Sequence, residues 1–147
     1  MTPDQRNAVV AEARSWLRTP YHDHGRIKGV GADCALMPLD VYSAALFPTL
    51  GIVPPQPPDY VQQWHLHRSE ERYLGYVQQL GAVPVEAPQP GDFVLFRIGR
   101  VYSHGGIVVA WPWIIHAVNP SGVELADVSI DERLNRTAIS QPLFFTF

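Results

Sequence analysis

The spacing of apolar residues changes near Gly81, and this change constrains the fold more than any other feature of the chain. Before Gly81, apolar residues recur at helical intervals. After it, five short runs are rich in β-branched and aromatic residues and bounded by Gly, Pro, Asn or Asp, at 92–98, 104–110, 113–118, 123–128 and 143–147. Such runs are typical of antiparallel strands joined by hairpins. Helices followed by strands predict an α+β fold with an antiparallel sheet of about five strands.

The first predicted helix has a well-marked beginning. Thr2 is suited to the N-cap, Pro3 to the first turn, and Gln5 completes a capping box with Thr2. Apolar residues then recur on one face, and the helix should end before Pro20, because a residue that precedes proline is disfavoured in the helical conformation.

Two further helices and a connector are predicted before the strands. The segment 33–46 is apolar on almost all sides, which predicts a buried helix, and Pro38 places its start close to Cys34 because proline is best tolerated in a first turn. The proline-rich segment 48–60 predicts an extended connector. The segment 66–80 predicts a surface helix that ends at a glycine.

Size and charge exclude several classes of protein. The 147 residues suit a single domain, 1–147, and 46% of them are hydrophobic, which is enough for a packed core. The net charge is -3 and no basic run is present, so nucleic acid is not an expected partner. No apolar run approaches the ~18 residues of a membrane helix. The N-terminus lacks the pattern of a secretory signal, so we expect synthesis in a cytoplasm.

Cys34 is the one cysteine of the chain, so it cannot form an internal disulfide. It stands where a glycine-rich loop runs into the predicted apolar helix. A helix start and a nearby imidazole both lower the pKa of a thiol and make it nucleophilic, and His104 and His116 are candidates for that imidazole. The competing interpretation is an inert buried cysteine, which is the commoner fate of a lone cysteine.

The two histidines occupy neighbouring predicted strands. If the turn centres on 110–112, antiparallel pairing places His104 opposite His116, with Cβ atoms roughly 5 Å apart. One imidazole could then orient the other, as the third member of a catalytic triad orients its base. Gly105 and Gly106 follow His104 and leave room for a substrate, or they mark a β-bulge beside a buried, hydrogen-bonded histidine.

Five short motifs occur in a recognisable order: Pro20-Tyr21, Asp33-Cys34 at a helix start, Pro90-Gly91-Asp92 before a strand, Ser103-His104-Gly105-Gly106-Ile107, and Ile115-His116-Ala117. In order, spacing and local structure they resemble the NlpC family of papain-like cell-wall cysteine peptidases. The resemblance extends from about Trp16 to Phe147. The loop of residues 21–31 further resembles the branch of this family found in phage tails.

The resemblance implies a papain-like, NlpC-type fold and a role for five residues. Cys34 matches the nucleophile that forms a thioester with a peptide carbonyl. His104 matches the general base, and His116 the residue that orients it. Asp33 matches an acidic residue that binds the free amine of a stem peptide, and Tyr21 matches a tyrosine that lines the cleft. The implied substrates are peptidoglycan stem or crosslink peptides, without a cofactor.

The phage-tail branch implies a location in the virion tail and tail-tip or hub proteins as partners. Two departures from the family pattern concern substrate preference rather than catalysis. Ala35 and Leu36 stand where the family has Ser-Gly, and Gly105 and Val108 replace larger or aromatic residues in the histidine strand.

Several alternatives remain open at this stage. The chain could be a structural tail-tip or hub subunit with slight or lost activity, or a papain-like amidase or acyltransferase. Asn119 could orient the base instead of His116. His22, Asp23 and His24 could suggest a metal, but no matched second pair of ligands is evident, so no metal is expected.

Overall fold

The computed structural model describes residues 1–51, 72–138 and 141–147, and in these residues it is an α+β structure. The helices are α1 (Pro3–Ser15), α2 (Leu36–Leu50), α3 (Arg72–Gln79) and α4 (Glu132–Ala138). The strands are β1 (Arg26–Ile27), β2 (Gly31–Ala32), β3 (Val83–Val85), β4 (Phe93–Ile98), β5 (Val101–Ala110), β6 (Trp113–Val118), β7 (Gly122–Asp127) and β8 (Leu143–Thr146). None of the described helices is long and apolar enough to cross a membrane.

Six strands form an antiparallel sheet in the order β3-β8-β4-β5-β6-β7, and β1 and β2 form a separate small hairpin. The five predicted strands are all present. The strand β3 was not predicted because it is three residues long, contains Pro84 and is largely exposed. Proline and exposure are typical of an edge strand, whose pattern differs little from that of a loop.

The start of α1 has the predicted capping box. The hydroxyl of Thr2 accepts a hydrogen bond from the backbone N–H of Gln5, and the side-chain oxygen of Gln5 accepts one from the backbone N–H of Thr2 at 2.7 Å. Farther along the helix, Arg6 donates to the buried carboxylate of Asp92 at 2.7 Å. This ion pair fixes α1 against the start of β4.

The helix α2 begins later and ends later than predicted. It starts at Leu36, because the carboxylate of Asp33 caps its first turn, and it includes Pro48 in its last turn. Gly51, with φ +64°, ends it in the left-handed conformation that glycine adopts readily. The first residues of the predicted connector are therefore helical, whereas 52–60 lie outside the described residues. Residues 66–71 of the third predicted helix also lie outside the described residues.

The sheet is covered on both faces by apolar side chains. Its residues alternate between the two faces, as the pleat of a strand requires. One face packs against the helices, with core residues Val9, Ala13, Trp16, Met37, Val41, Tyr42, Phe93, Leu95, Ile107 and Ile115. The other carries a smaller cluster of Val94, Phe96, Val108, Ile114, Ala126, Val128 and Leu134, the last of which belongs to α4. The strands that carry the two histidines thus lie in the middle of the packed structure.

Candidate active site

Asp33 holds the segment that contains Cys34. Its Oδ1 accepts hydrogen bonds from the backbone N–H groups of Ala35 (2.9 Å) and Leu36 (2.7 Å), and its Oδ2 accepts one from the backbone N–H of His24 (3.0 Å). The residue is 2% exposed. The carboxylate therefore serves as the cap of α2 and as a link to the preceding loop. Binding of a substrate amine by Asp33 stays a prediction, and it would compete with these three bonds.

The thiol of Cys34 has a raised rather than a lowered pKa. Burial of the thiol is the main cause, the negative charges of Asp33 and Asp23 add to it, and together they raise the pKa to about 12. The sequence predicted the opposite direction from the helix start and a nearby imidazole. That expectation omitted the cost of burying a thiolate beside two carboxylates. The thiol is consequently protonated at neutral pH, and its Sγ lies 3.9 Å from the carbonyl oxygen of Ser103.

The imidazoles of His104 and His116 are in direct contact. Nε2 of His104 lies 2.8 Å from Nδ1 of His116, the ring planes are almost perpendicular at 89°, and both residues are buried. Asn119, the alternative partner for His104, is exposed in the turn after β6. His116 is therefore the residue that touches the candidate base.

The register that produces this contact differs from the predicted one. Ile107 pairs with Ile115, which brings Gly106 rather than His104 beside His116. The difference begins at the turn, where Ala110 pairs with Trp113, and the ladder then shifts by one residue between Val108 and Ala110. A displacement of two residues leaves every side chain on the same face of the sheet, so the histidines still meet, diagonally rather than directly opposite.

Tyr73 of α3 supports the backbone at the candidate nucleophile. Its hydroxyl lies 3.0 Å from the carbonyl oxygen of Cys34 and 3.3 Å from that of Ala35, and it donates to these acceptors. A Cβ on Gly105 would overlap this hydroxyl and would lie 2.6 Å from a ring carbon of Phe93. The space beside Gly105 is thus filled by protein side chains and does not hold a substrate. The apolar spacing of α3 predicted that Tyr73 is buried, but no sequence signal pointed to its hydrogen bonds.

Tyr21 contacts the chain just before Cys34, and Leu36 follows Cys34 at the start of α2. Tyr21 forms an isolated bridge with Ala32, two residues before Cys34, and packs on the margin of the core. The role of Tyr21 in lining a cleft stays a prediction. Leu36, one of the departures from the family pattern, is buried and contributes to the interior rather than to an open surface.

The far side of His116 faces charged groups that the sequence did not single out. Its Nε2 is buried and has no hydrogen-bond partner among the described residues, and the nearest carboxylate oxygen, Oε1 of Glu124, lies 3.6 Å away. Burial lowers the pKa of His116. The negative charges of Glu124 and Asp131 oppose that change, and the positive charge of Arg133 reinforces it. The imidazole is therefore neutral at neutral pH.

One group of possible metal ligands occurs in the described part of the chain. His116, Glu124 and Asp131 offer ligand atoms within 4.8 Å of one another. The guanidinium of Arg133 contacts both carboxylates, at 2.8 Å from Glu124 and 3.0 Å from Asp131. It therefore supplies the positive charge that a metal ion would bring to these oxygens. In the loop considered for zinc from the sequence, Asp23 and His24 instead pair with each other at 3.3 Å.

Comparisons with known proteins identify the fold. No family model matches the chain, and no curated protein matches it. Among solved structures, the NlpC/p60 domain of the peptidoglycan hydrolase SagA is similar with a TM-score of 0.58 and 18% identity, over 97% of this chain and 98% of that one. NlpC1 from Trichomonas vaginalis is similar with a TM-score of 0.58 and 16% identity, over 86% of this chain and 40% of that one. The predicted NlpC-type fold is therefore confirmed.

Proposed function

We propose that the chain is a cysteine peptidase that hydrolyses peptidoglycan stem or crosslink peptides through a thioester. The observation that carries this proposal is the 2.8 Å contact between Nε2 of His104 and Nδ1 of His116, within an NlpC/p60-type fold and one residue from the backbone group that the Cys34 thiol contacts. A nucleophile, a base and a group that orients the base are the parts that such chemistry requires.

In the proposed reaction, Nε2 of His104 is hydrogen-bonded to His116, and Nδ1 of His104 accepts the proton of the thiol. The thiol of Cys34 exchanges its contact with Ser103 for the imidazole and attacks the peptide carbonyl carbon as its proton passes to Nδ1. The C–N bond then breaks, and the leaving amine takes that proton. Water hydrolyses the thioester with His104 again as base, which restores the thiol. Because the resting thiol is protonated, proton transfer accompanies attack.

The substrate class is supported by the fold neighbour that is named a peptidoglycan hydrolase. Within this proposal Tyr21 lines the cleft and Asp33 contacts the free amine of the stem peptide. We further propose that the chain acts in a virion tail, with tail-tip or hub proteins as partners. The support for this is the resemblance of the loop at residues 21–31. Mass spectrometry of tail particles purified from the source cells should detect the chain, and its recovery only from other fractions would contradict this location.

The test of the chemistry compares the full chain with its Cys34→Ala, His104→Ala and His116→Ala variants on purified sacculi and on soluble stem peptides. We expect new amino termini, identified by mass, from the wild type and none from Cys34→Ala, with His116→Ala intermediate. Thermal melting of each variant separates loss of chemistry from loss of fold. Equal product from wild type and Cys34→Ala would refute the mechanism. Release of an amide or transfer of an acyl group would instead identify an amidase or acyltransferase.

One observation favours a second candidate, a structural tail subunit with slight or lost activity. The pKa of the Cys34 thiol is raised to about 12, so the nucleophilic thiolate is scarcely populated in the resting protein. A structural subunit would give no product from any of these substrates. A product that depends on Cys34 would exclude this candidate.

A further inference from the structure

The contact between the two histidines fixes how their protons must be arranged. For Nδ1 of His104 to accept the thiol proton, the proton of the neutral His104 ring must sit on Nε2. Nδ1 of His116 must then accept the hydrogen bond, and the proton of the neutral His116 ring must sit on its Nε2. In the opposite arrangement His116 donates to His104, and Nδ1 of His104 already carries a proton. Whatever faces Nε2 of His116 therefore decides whether His104 can act as a base.

We propose that Glu124 is a positioning residue that holds the proton on Nε2 of His116, and that Arg133 sets how closely the Glu124 carboxylate approaches. This assignment builds on the proposed function, because it concerns the base of the same reaction. Glu124 touches neither the thiol nor the substrate, and it acts through His116.

The sheet places Glu124 for this role. His116 of β6 and Glu124 of β7 are directly paired residues, and paired side chains on one face of antiparallel strands are close neighbours. The Oε1 atom of Glu124 lies 3.6 Å from Nε2, and His116 is 1% exposed. A buried N–H without an acceptor is unfavourable, whereas a small rotation of the Glu124 side chain would supply one.

Arg133 competes for the same carboxylate oxygen. Its Nη2 lies 2.8 Å from Oε1 of Glu124 and 3.0 Å from Oδ2 of Asp131. Asp131 in turn caps α4 through the backbone N–H groups of Arg133 and Leu134. The guanidinium thus anchors Glu124 to the start of α4 and draws Oε1 away from His116.

Among the described residues, four charged or titratable groups lie around His116. They are His104 on β5, Glu124 on β7, and Asp131 and Arg133 at the start of α4. Glu124 and Asp131 favour the protonated form of the ring, and Arg133 disfavours it. Removing Glu124 or Arg133 should consequently move the His116 titration in opposite directions.

The experiment records long-range ¹H–¹⁵N spectra of the full chain labelled at histidine nitrogen, with EDTA present. We expect His116 to be protonated at Nε2 and unprotonated at Nδ1. Glu124→Ala should abolish that preference, whereas Glu124→Gln should keep it, because the amide oxygen can still accept the hydrogen bond from Nε2–H. The midpoint of the His116 titration should fall in Glu124→Gln and rise in Arg133→Gln, in which the second partner of Glu124 is lost.

Peptidase assays supply a second measurement. Glu124→Ala should lower kcat by roughly 10- to 100-fold with KM little changed, as is typical when the partner that orients a functional histidine is lost. Glu124→Gln should recover part of that loss.

Three outcomes would overturn the assignment: a wild-type His116 protonated at Nδ1, a spectrum that Glu124→Ala leaves unchanged, or a His116 signal that moves on addition of Zn²⁺, which would make the cluster a metal site. The spectra need no substrate, so they test the role of Glu124 independently of the proposed peptidase activity. Expected spectra from a chain that cleaves no peptide would refute the proposed function and leave the His116–Glu124 interaction established.

Discussion

Gly105→Ala tests whether the close packing beneath the histidine strand is required. The added Cβ would overlap the hydroxyl of Tyr73 and would lie 2.6 and 2.8 Å from two ring carbons of Phe93. Real Cβ atoms do not approach other heavy atoms this closely, so side chains or backbone must move. The Tyr73 hydroxyl is the group displaced most directly, and its hydrogen bonds to the carbonyls of Cys34 and Ala35 would be lost.

The size of the effect follows from these contacts. Overpacking of a well-packed interior costs about 1–3 kcal/mol, and loss of the Tyr73 hydrogen bonds adds about 1 kcal/mol. We therefore expect Gly105→Ala to reduce the free energy of unfolding by roughly 2–4 kcal/mol, which for a chain of this size lowers Tm by roughly 5–15 °C. Tyr73→Phe removes the hydroxyl but leaves the Phe93 ring in place. In the Tyr73→Phe background, Gly105→Ala should cost about 1–2 kcal/mol less than in the wild type.

Urea unfolding of wild type, both single variants and the double variant measures this coupling. Gly75→Ala is the matched control, because Gly75 lies inside α3 and a Cβ there would meet nothing within 4 Å. That substitution should leave stability unchanged or raise it by about 0.5–1 kcal/mol. A Gly105→Ala variant as stable as the wild type, or effects of Gly105→Ala and Tyr73→Phe that simply add, would refute the packing argument.

Three further predictions concern ionisable groups. Arg6→Ala leaves the carboxylate of Asp92, which is 1% exposed, without its cationic partner, and we expect a loss of about 3 kcal/mol in urea unfolding; a loss below about 1 kcal/mol would contradict this. Burial lowers the pKa of His116 below its unfolded value of 6.5, so the unfolded chain binds that proton more tightly and stability should fall as pH decreases from about 6.5 toward the lowered pKa. His116→Asn should flatten that part of the curve of unfolding free energy against pH, and an unchanged slope would contradict it. The charge of Asp23 contributes to the raised pKa of Cys34, so Asp23→Asn should lower that pKa and accelerate alkylation of the thiol by iodoacetamide at pH 9. The control variant Asp4→Asn on α1 should have no effect. Equal alkylation rates in the two variants would exclude the Asp23 contribution.

Features that depend on neighbouring residues could be predicted from the sequence. The capping box of α1 links Thr2 to Gln5, three residues away, and its residue types specify it. Gly81 ends α3 with φ +81° for an equally local reason. The five predicted strands follow from alternating apolar residues between turn residues. Together, these local patterns predicted the α+β fold.

Features that depend on distant residues could not be predicted in the same way. The pairing of His104 and His116 was displaced by two residues because Ala110 pairs with Trp113 beside the turn, and the one-residue shift in β5 offsets only part of that departure. The two rings are nevertheless in contact, because a displacement by two residues leaves each side chain on the same face of the sheet. The pKa of Cys34 was predicted in the wrong direction, because it depends on burial and on Asp23 and Asp33 together. Glu124 was missed because its relation to His116 exists only across the β6–β7 pair.

Asp33 adds to burial in opposing activation of Cys34 at the helix start. The backbone N–H groups at the beginning of a helix stabilise a nearby anion, but here those of Ala35 and Leu36 donate to the Asp33 carboxylate. Asp33, the residue before the candidate nucleophile, thus accepts from donors that would favour a thiolate, and its own charge disfavours the thiolate further. In the proposed reaction, activation of Cys34 would therefore depend on His104 and His116, whose imidazoles are in contact.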